Sequence, residues 1–486
     1  MSHRCWHGGA RNKKPIGIHW LQVGPAAAAQ ALGIATGNPV WPYRTPSLLG
    51  ALLAVLATHA IGRHILSDKA GLIAGLILGG SVILTIEAHI AKTDAALLGA
   101  TTLVMALFAR AWSAPQSMTS RHAALFWIAL GAGILIKGPI TPMVVGLTAL
   151  SLALWERRAR WMLALRPAWG IPLMLLIVLP WFIAILLETH GAFFREAVGN
   201  DLAGKMAGGA EGHWGPPGTH AVLLAMLAFP FTIPVLRALP AVWIARREDW
   251  ARLLICWTVP AWIVFEATPT KLPHYTLPLY PALALAAAAL LTRGLHVPLW
   301  SQRLSVAAFA LCAAALAGAS LALPIVTGES ILLGLPALLC VAALAFLLLR
   351  AAPGLPRLAA ALLAPLLYWA VFGLELPNLA GLFMSPPIAE ARARAGLPLF
   401  AATGYHEPSM VFLAGTDTKL LLGGDEAARF LAANHGRALV AIGNRDQADF
   451  EQEAQRLALA PQAVGTVSGY NYSRGRRETV RLFTAN

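Results

Sequence analysis

The chain has 486 residues, 57% of them hydrophobic and only 12% charged, with a mean hydropathy of +0.63. Soluble proteins carry roughly 25% charged residues, so this composition excludes a disordered chain, a solenoid of polar repeats and a cytosolic enzyme. The net charge of +14, from 37 Lys and Arg against 23 Asp and Glu, reads in so apolar a chain as basic loops facing the cytoplasm, not as a nucleic-acid footprint.

In chain order, the first twelve residues lack the apolar core of a signal peptide. Apolar runs of about 20 residues then predict twelve membrane spans, near 45–62, 70–88, 95–112, 122–136, 139–155, 167–187, 219–243, 249–266, 272–293, 303–326, 328–349 and 354–376. Connections are short except for Glu188 to His220. Cys256, Cys312 and Cys340 fall inside apolar runs and Cys5 stands alone, so no disulfide framework is expected. The fold class expected is a polytopic α-helical membrane protein of about twelve spans over 45–376. An N-terminal segment, 1–44, and a small C-terminal α/β domain, 377–486, both lie outside the cytoplasm.

Sidedness follows from the basic residues in alternate loops. One set holds fifteen, namely Arg63, Lys69, Arg110, Arg121, Arg157, Arg158, Arg160, Arg166, Arg246, Arg247, Arg252, Arg293, Arg303, Arg350 and Arg357. The other holds five: Lys92, Lys137, Arg195, Lys205 and Lys271. Fifteen against five assigns the first set to the cytoplasm. Only eight of the 37 basic residues are lysine, yet four of the five outside ones are, and Lys13 and Lys14 extend the pattern. A compact ammonium suits a phosphate held as a point charge; the competing reading for each lysine is interfacial snorkelling.

Three outside segments, 11–17, 91–94 and 270–275, place lysine beside proline or an acid. Loops of this kind converging at the outer leaflet would form a pocket for an anionic lipid headgroup. Asp94 is either a salt-bridge partner of Lys92 or a proton-handling group, and Glu87, about two helical turns earlier, reads as a structural polar contact. Gly199 to Lys205 approaches a phosphate loop, but Met206 stands where the hydroxyl is needed and no strand precedes it. Glu211 and His213 in the same connection are residue types that bind divalent metals; two such residues make no site by themselves, and an ordinary exposed loop histidine is the alternative.

The segments Arg11-Asn-Lys-Lys-Pro-Ile-Gly, Ala91-Lys-Thr-Asp-Ala-Ala96, Ile136-Lys-Gly-Pro139 and Thr270-Lys-Leu-Pro-His-Tyr275 resemble the protein mannosyltransferase and aminoarabinose transferase superfamily, also called glycosyltransferase family 39. The resemblance covers about 11–380, and its most specific part is Lys-Leu-Pro-x-Tyr. It implies a GT-C fold and transfer of a sugar from a polyprenyl-phosphate carrier to a lipid or protein acceptor outside the bacterial cytoplasmic (inner) membrane. Carried over residue by residue, it implies that Lys14 and Tyr275 contact the carrier phosphate and that Asp94 is the catalytic acid position. Lys92, Lys205 and Lys271, three of the outside lysines, join the phosphate set. His213 resembles a loop histidine that helps bind a divalent metal, with Glu211 beside it, and a divalent metal is the one cofactor implied. Lys13 stands where members that bind metal can carry an acid.

Family members usually begin with one further span and an acidic outside loop. Only thirteen residues precede Lys14 here, none of them Asp or Glu, and the reading favoured is a start that lacks this span and its carboxylate. In the tail, 397–405, 438–443 and 479–485 read as strands and 425–433 and 445–457 as helices. The leading expectation is a monomeric, multi-pass glycosyltransferase with a periplasmic C-terminal domain. Its partners would be the carrier lipid, an acceptor and membrane lipids, with no nucleic acid. The alternatives are a lipid or solute transporter, which would place ionisable groups nearer the bilayer midplane, and a truncated member with impaired catalysis.

Overall fold

The computed structural model describes residues 5–6, 9–10, 15–34, 39–202, 214–350, 363–471 and 475–485. It divides into two compact units: Asn12–Ala315 with Val341–Leu366, and Met1–Arg11, Leu316–Cys340 and Leu367–Asn486.

The first unit is helical. Its helices are Gly17–Ala31 (α1), Trp41–Ile65 (α2), Asp68–Gly79 (α3), Val82–Ala88 (α4), Asp94–Ser113 (α5), Ser120–Lys137 (α6), Ile140–Glu156 (α7), Pro167–Glu188 (α8), Thr219–Leu227 (α9), Thr232–Ile244 (α10), Asp249–Ala267 (α11) and Tyr280–Arg293 (α12). Leu299–Thr327 (α13) and Leu335–Arg350 (α14) follow. Among the described residues seven helices are long and apolar enough to cross a membrane, or eight if the α3–α4 pair, bent by 63°, is one span.

The expected count of about twelve is not confirmed: among the described residues, the runs at 122–136 (α6), 139–155 (α7), 219–243 and 354–376 are not among these eight. The run expected at 219–243 is two short helices, since Pro230 cannot continue the ladder of α9. Helix α7 has only 17 residues, and the start of the expected 354–376 span, 354–362, lies outside the described residues. In addition, α1 lies within 1–44, the stretch expected as an extracytoplasmic N-terminal segment for which no helix was expected.

Small residues bring these helices together. A Cβ on Gly50 of α2 would lie 2.4 Å from the Ala95 carbonyl oxygen, and one on Gly99 of α5 only 2.6 Å from the Gly50 carbonyl oxygen. With backbone against backbone, only glycine fits, which is the usual device where no hydrophobic effect separates helix from lipid. Gly17 does the same for α1, its Cβ position lying 2.6 Å from the Leu135 carbonyl oxygen of α6. Ile18, Ala96, Leu97, Ala100 and Ile136 close a small core there.

In the second unit, Cys5–Trp6 (β1) pairs with Gly9–Ala10 (β2). The rest is a mixed α/β fold in which Leu399–Thr403 (β3), Lys419–Leu420 (β4), Ala438–Gly443 (β5), Gln462–Asn471 (β6) and Arg476–Thr484 (β7) form one sheet of order β4-β3-β5-β7-β6. β3 is parallel to both β4 and β5, and the remaining pairings are antiparallel. All six residues of β5 are buried, as expected of a strand covered on both faces. Period-two alternation sends Phe400, Ala402, Leu439 and Ala441 to one core and Ala401, Val440 and Ile442 to the other. Ser385–Ala395 (α15) and Pro408–Ala414 (α16) carry Ile388 and Met410 into the first core, while Gly424–Ala433 (α17) and Gln447–Arg456 (α18) carry Leu431 and Phe450 into the second.

Candidate active site

Asp94 opens α5 directly after a tight turn. Ser47 of α2 holds that turn, its hydroxyl donating to the Ile90 carbonyl at 2.6 Å and lying 3.2 Å from that of Lys92. The Gly50–Gly99 contact presses the first turns of α5 onto α2, so the Asp94 backbone is fixed from two sides. Lys137 is the last residue of α6, where Gly138 at φ 65° ends the helix in a conformation that side-chain-bearing residues rarely adopt. His274 and Tyr275 lie in the 3-10 segment Pro273–Leu279 leading into α12.

These elements converge on one buried polar cluster. The Lys137 ammonium donates to Asp94 Oδ1. His274 stands between two acids, with Nε2 3.7 Å from Asp94 Oδ1 and Nδ1 3.7 Å from Glu87 Oε1. Lys92 Nζ is 3.8 Å from the same Glu87 oxygen. Tyr275 completes the group, its ring 5.6 Å beneath the Lys137 ammonium and edge-on to His274. Asp94 and Glu87 are both 4% exposed, and buried charges persist only when paired. Two carboxylates face two ammoniums and an imidazole, so the cluster has no excess negative charge to repel an anion. Lys92, with 42% of its side chain exposed, is its open edge.

Lys271 is turned elsewhere. Its side chain is 3% exposed, and its ammonium donates to the carbonyls of Phe265, at 3.1 Å, and Glu266, at 2.5 Å, with the Glu266 carboxylate 3.4 Å away. Those carbonyls belong to the last turn of α11, where a cation meets the negative end of the helix.

Of the residues expected at the site, the structure brings Asp94, Lys92 and Tyr275 together and sets Lys271 at the α11 terminus. Lys14, Lys205, Glu211 and His213 lie outside the described residues. Among those that are described, no group of three or more His, Cys, Asp or Glu side chains is placed to hold a metal. Sequence reasoning missed Lys137 and His274 as members of the site and underrated Glu87. For Lys137 the signal was present, since it is one of the few outside lysines; for His274 it was only adjacency to Tyr275.

Such an arrangement can orient a carboxylate, offer ammonium and hydroxyl donors to a phosphate, and keep both out of bulk water. Comparison with known proteins leads the same way. Residues 13–183 match the family model for dolichyl-phosphate-mannose-protein mannosyltransferase. An undecaprenyl phosphate-alpha-4-amino-4-deoxy-L-arabinose arabinosyl transferase of Pseudomonas fluorescens is 26% identical over 278 residues, which is 56% of this chain and 48% of the relative. Its counterpart in Pseudomonas aeruginosa is 28% identical over the same shares. The chain thus spans about half the length of these curated relatives. In structure it is similar to ArnT from Cupriavidus metallidurans, in the apo state and bound to undecaprenyl phosphate. The TM-score is 0.71 for both, at 20% and 19% identity, covering 98% of this chain and 89% of the other. Helical bundle and C-terminal sheet, with this likeness, define a multi-pass membrane protein of the GT-C architecture. Over residues 13–183 the chain is thus similar to the dolichyl-phosphate-mannose-protein mannosyltransferases, and over nearly its whole length it shares the fold of ArnT.

Proposed function

We propose that the protein transfers a sugar from a polyprenyl-phosphate carrier to a lipid or protein acceptor at the outer face of the cytoplasmic membrane, with an aminopentose of the kind its relatives are named for as the leading donor. The observation that carries this reading is the buried Asp94–Lys137 pair beside Lys92 and the Tyr275 ring. A polyprenyl phosphate is already an activated leaving group. As the acceptor oxygen attacks the anomeric carbon, the bond from that carbon to the phosphate oxygen breaks and the released phosphate gathers negative charge. Lys92, Lys137 and the Tyr275 hydroxyl stabilise that charge where it develops, with Lys14 and Lys205 assigned to the same phosphate. Asp94, held in one orientation by Lys137, takes the proton of a hydroxyl acceptor. A divalent cation would fall to Glu211 and His213, and no step runs through it.

Mass spectrometry of lipids co-purified with the full chain tests the reading. Polyprenyl phosphate in the preparation and sugar transfer from it are expected. Absence of the carrier together with measurable solute flux in vesicles would replace the enzyme with a transporter.

A further inference from the structure

One polar constellation outside the Asp94 cluster has no part in that chemistry. Glu266, near the end of α11, accepts the backbone N–H groups of Gly218 at 3.0 Å and Ala221 at 3.2 Å, and so caps the start of α9. His220 reaches back from α9, its Nδ1 3.6 Å from the Glu266 carboxylate and its Nε2 3.2 Å from the Leu272 carbonyl. Lys271 neutralises Glu266 and closes α11. The backbones are joined as well: Gly215 donates to the Pro269 carbonyl at 3.2 Å, and Trp214 and Thr270 form an isolated bridge. A Cβ at Gly215 would fall 2.6 Å from the Lys271 side chain, so the two strands of chain run as close as glycine allows.

We infer that Glu266, Lys271 and His220 form a buried latch that fastens 214–221 to 266–272 and thereby sets the position of His274 and Tyr275, which makes Lys271 a positioning residue and not a phosphate ligand. Three observations agree on this. The Lys271 ammonium is satisfied by two carbonyls and a carboxylate. The Glu266, His220, Gly215 and Trp214 contacts join the end of the long connection to 266–272, shortly before Tyr275, and Lys271 fixes Glu266 within that segment. The His220 ring lies 6.5 Å from that of Tyr275 and is stacked on it, a direct mechanical link to the site. The inference rests on the proposed transfer reaction only for its consequence in turnover; the latch itself is a claim about backbone order.

The test uses the full chain in detergent, with Glu266→Gln, Lys271→Met and the double variant, read by amide hydrogen exchange and by transfer kinetics at varied undecaprenyl-phosphate sugar. Losing the charged acceptor or its cation should speed exchange at Gly218, Ala221 and Tyr275 by roughly tenfold or more, with other helices unchanged. Both single variants should raise the apparent KM for the carrier and hold kcat within about twofold, whereas general destabilisation would lower kcat at unchanged KM. The double variant should be no worse than the worse single one, the sign of a shared element. If Lys271→Met weakens carrier binding with Gly218 and Ala221 exchanging at the wild-type rate, and Glu266→Gln is silent, Lys271 contacts the phosphate and the latch is refuted. Wild-type protein that transfers no sugar would refute the proposed function, and the exchange comparison would still decide the latch.

Discussion

In the proposed transfer Asp94 is the base, and its replacement would separate chemistry from binding. Asp94→Asn keeps the size and a hydrogen-bonding oxygen for Lys137 but loses the proton acceptor. For a hydroxyl acceptor, transfer should fall by roughly 10²- to 10⁴-fold while the carrier still binds; near wild-type turnover would remove Asp94 from the role of base. Tyr275→Phe removes one hydroxyl and should weaken carrier binding by about 1 to 3 kcal/mol, measurable by lipid titration, and an unchanged affinity would take Tyr275 out of the phosphate site. At this scale the sequence spoke by residue type: lysine among arginines singled out Lys92, the same signal at Lys137 was passed over, and an acid at a span boundary singled out Asp94. It could not show that Glu87, Asp94 and Lys137 meet, because Asp94 and Lys137 are 43 residues apart and only the folded packing of α5, α6 and the Pro273–Leu279 segment joins them. Nor could it show that Lys271 points inward, since the direction of one side chain beside a helix end leaves no periodic trace.

Among the elements, the α2–α5 contact is the most exposed to test. Gly50→Leu or Gly99→Val would force a side chain against a carbonyl oxygen that cannot move aside, and overpacking of this kind costs about 1 to 3 kcal/mol. A lower thermal unfolding midpoint in detergent should accompany lost activity, because Gly50→Leu strikes Ala95, which adjoins Asp94, and Gly99→Val strikes Gly50 in the same contact. In the C-terminal sheet domain, Glu453 is bound by Arg456 at 2.7 Å and Arg429 at 2.9 Å, and these hydrogen bonds pull its carboxyl down to about 2 from the usual glutamate value of 4.5. The folded form binds the proton less readily, so the stabilisation is complete above pH 4.5 and is lost as pH falls toward about 2. Glu453→Gln should flatten that acid limb, and added salt should shrink the difference because both arginines are exposed; identical acid limbs would show the pair to be inert. Elements with strong periodicity were readable: β5 lies where the pattern set it, and α17 and α18 nearly so. Helix α1 was not, since Gly24 and Pro25 interrupt it and its stability comes from Gly17 and Ile18 packing against α6 and not from its own propensity. Strand β6 escaped because its burial is slight and its neighbour β7 supplies the hydrogen bonds.

Over the whole molecule, the distribution of basic residues makes a single topological claim. In a background lacking the four native cysteines, a cysteine at Pro217 should react with a membrane-impermeant thiol reagent in intact cells, and one at Arg247 only after permeabilisation. The reverse pattern would invert every sidedness assignment above. The hairpin of α5 and α6 carries a further consequence for how such a chain is built. Asp94 and Lys137 are the two outer ends of that hairpin, and during synthesis they emerge 43 residues apart, a lag of about 2 to 9 s at roughly 5 to 20 residues per second. Until α6 arrives, the nearest ammonium is Lys92, two positions upstream. A hairpin inserted one turn out of register, about 5.4 Å along the helix, would separate the two charges and leave each without its partner at the end of its span. The ion pair that orients the carboxylate is thus also a registry mark, read once, while the protein is still entering the membrane.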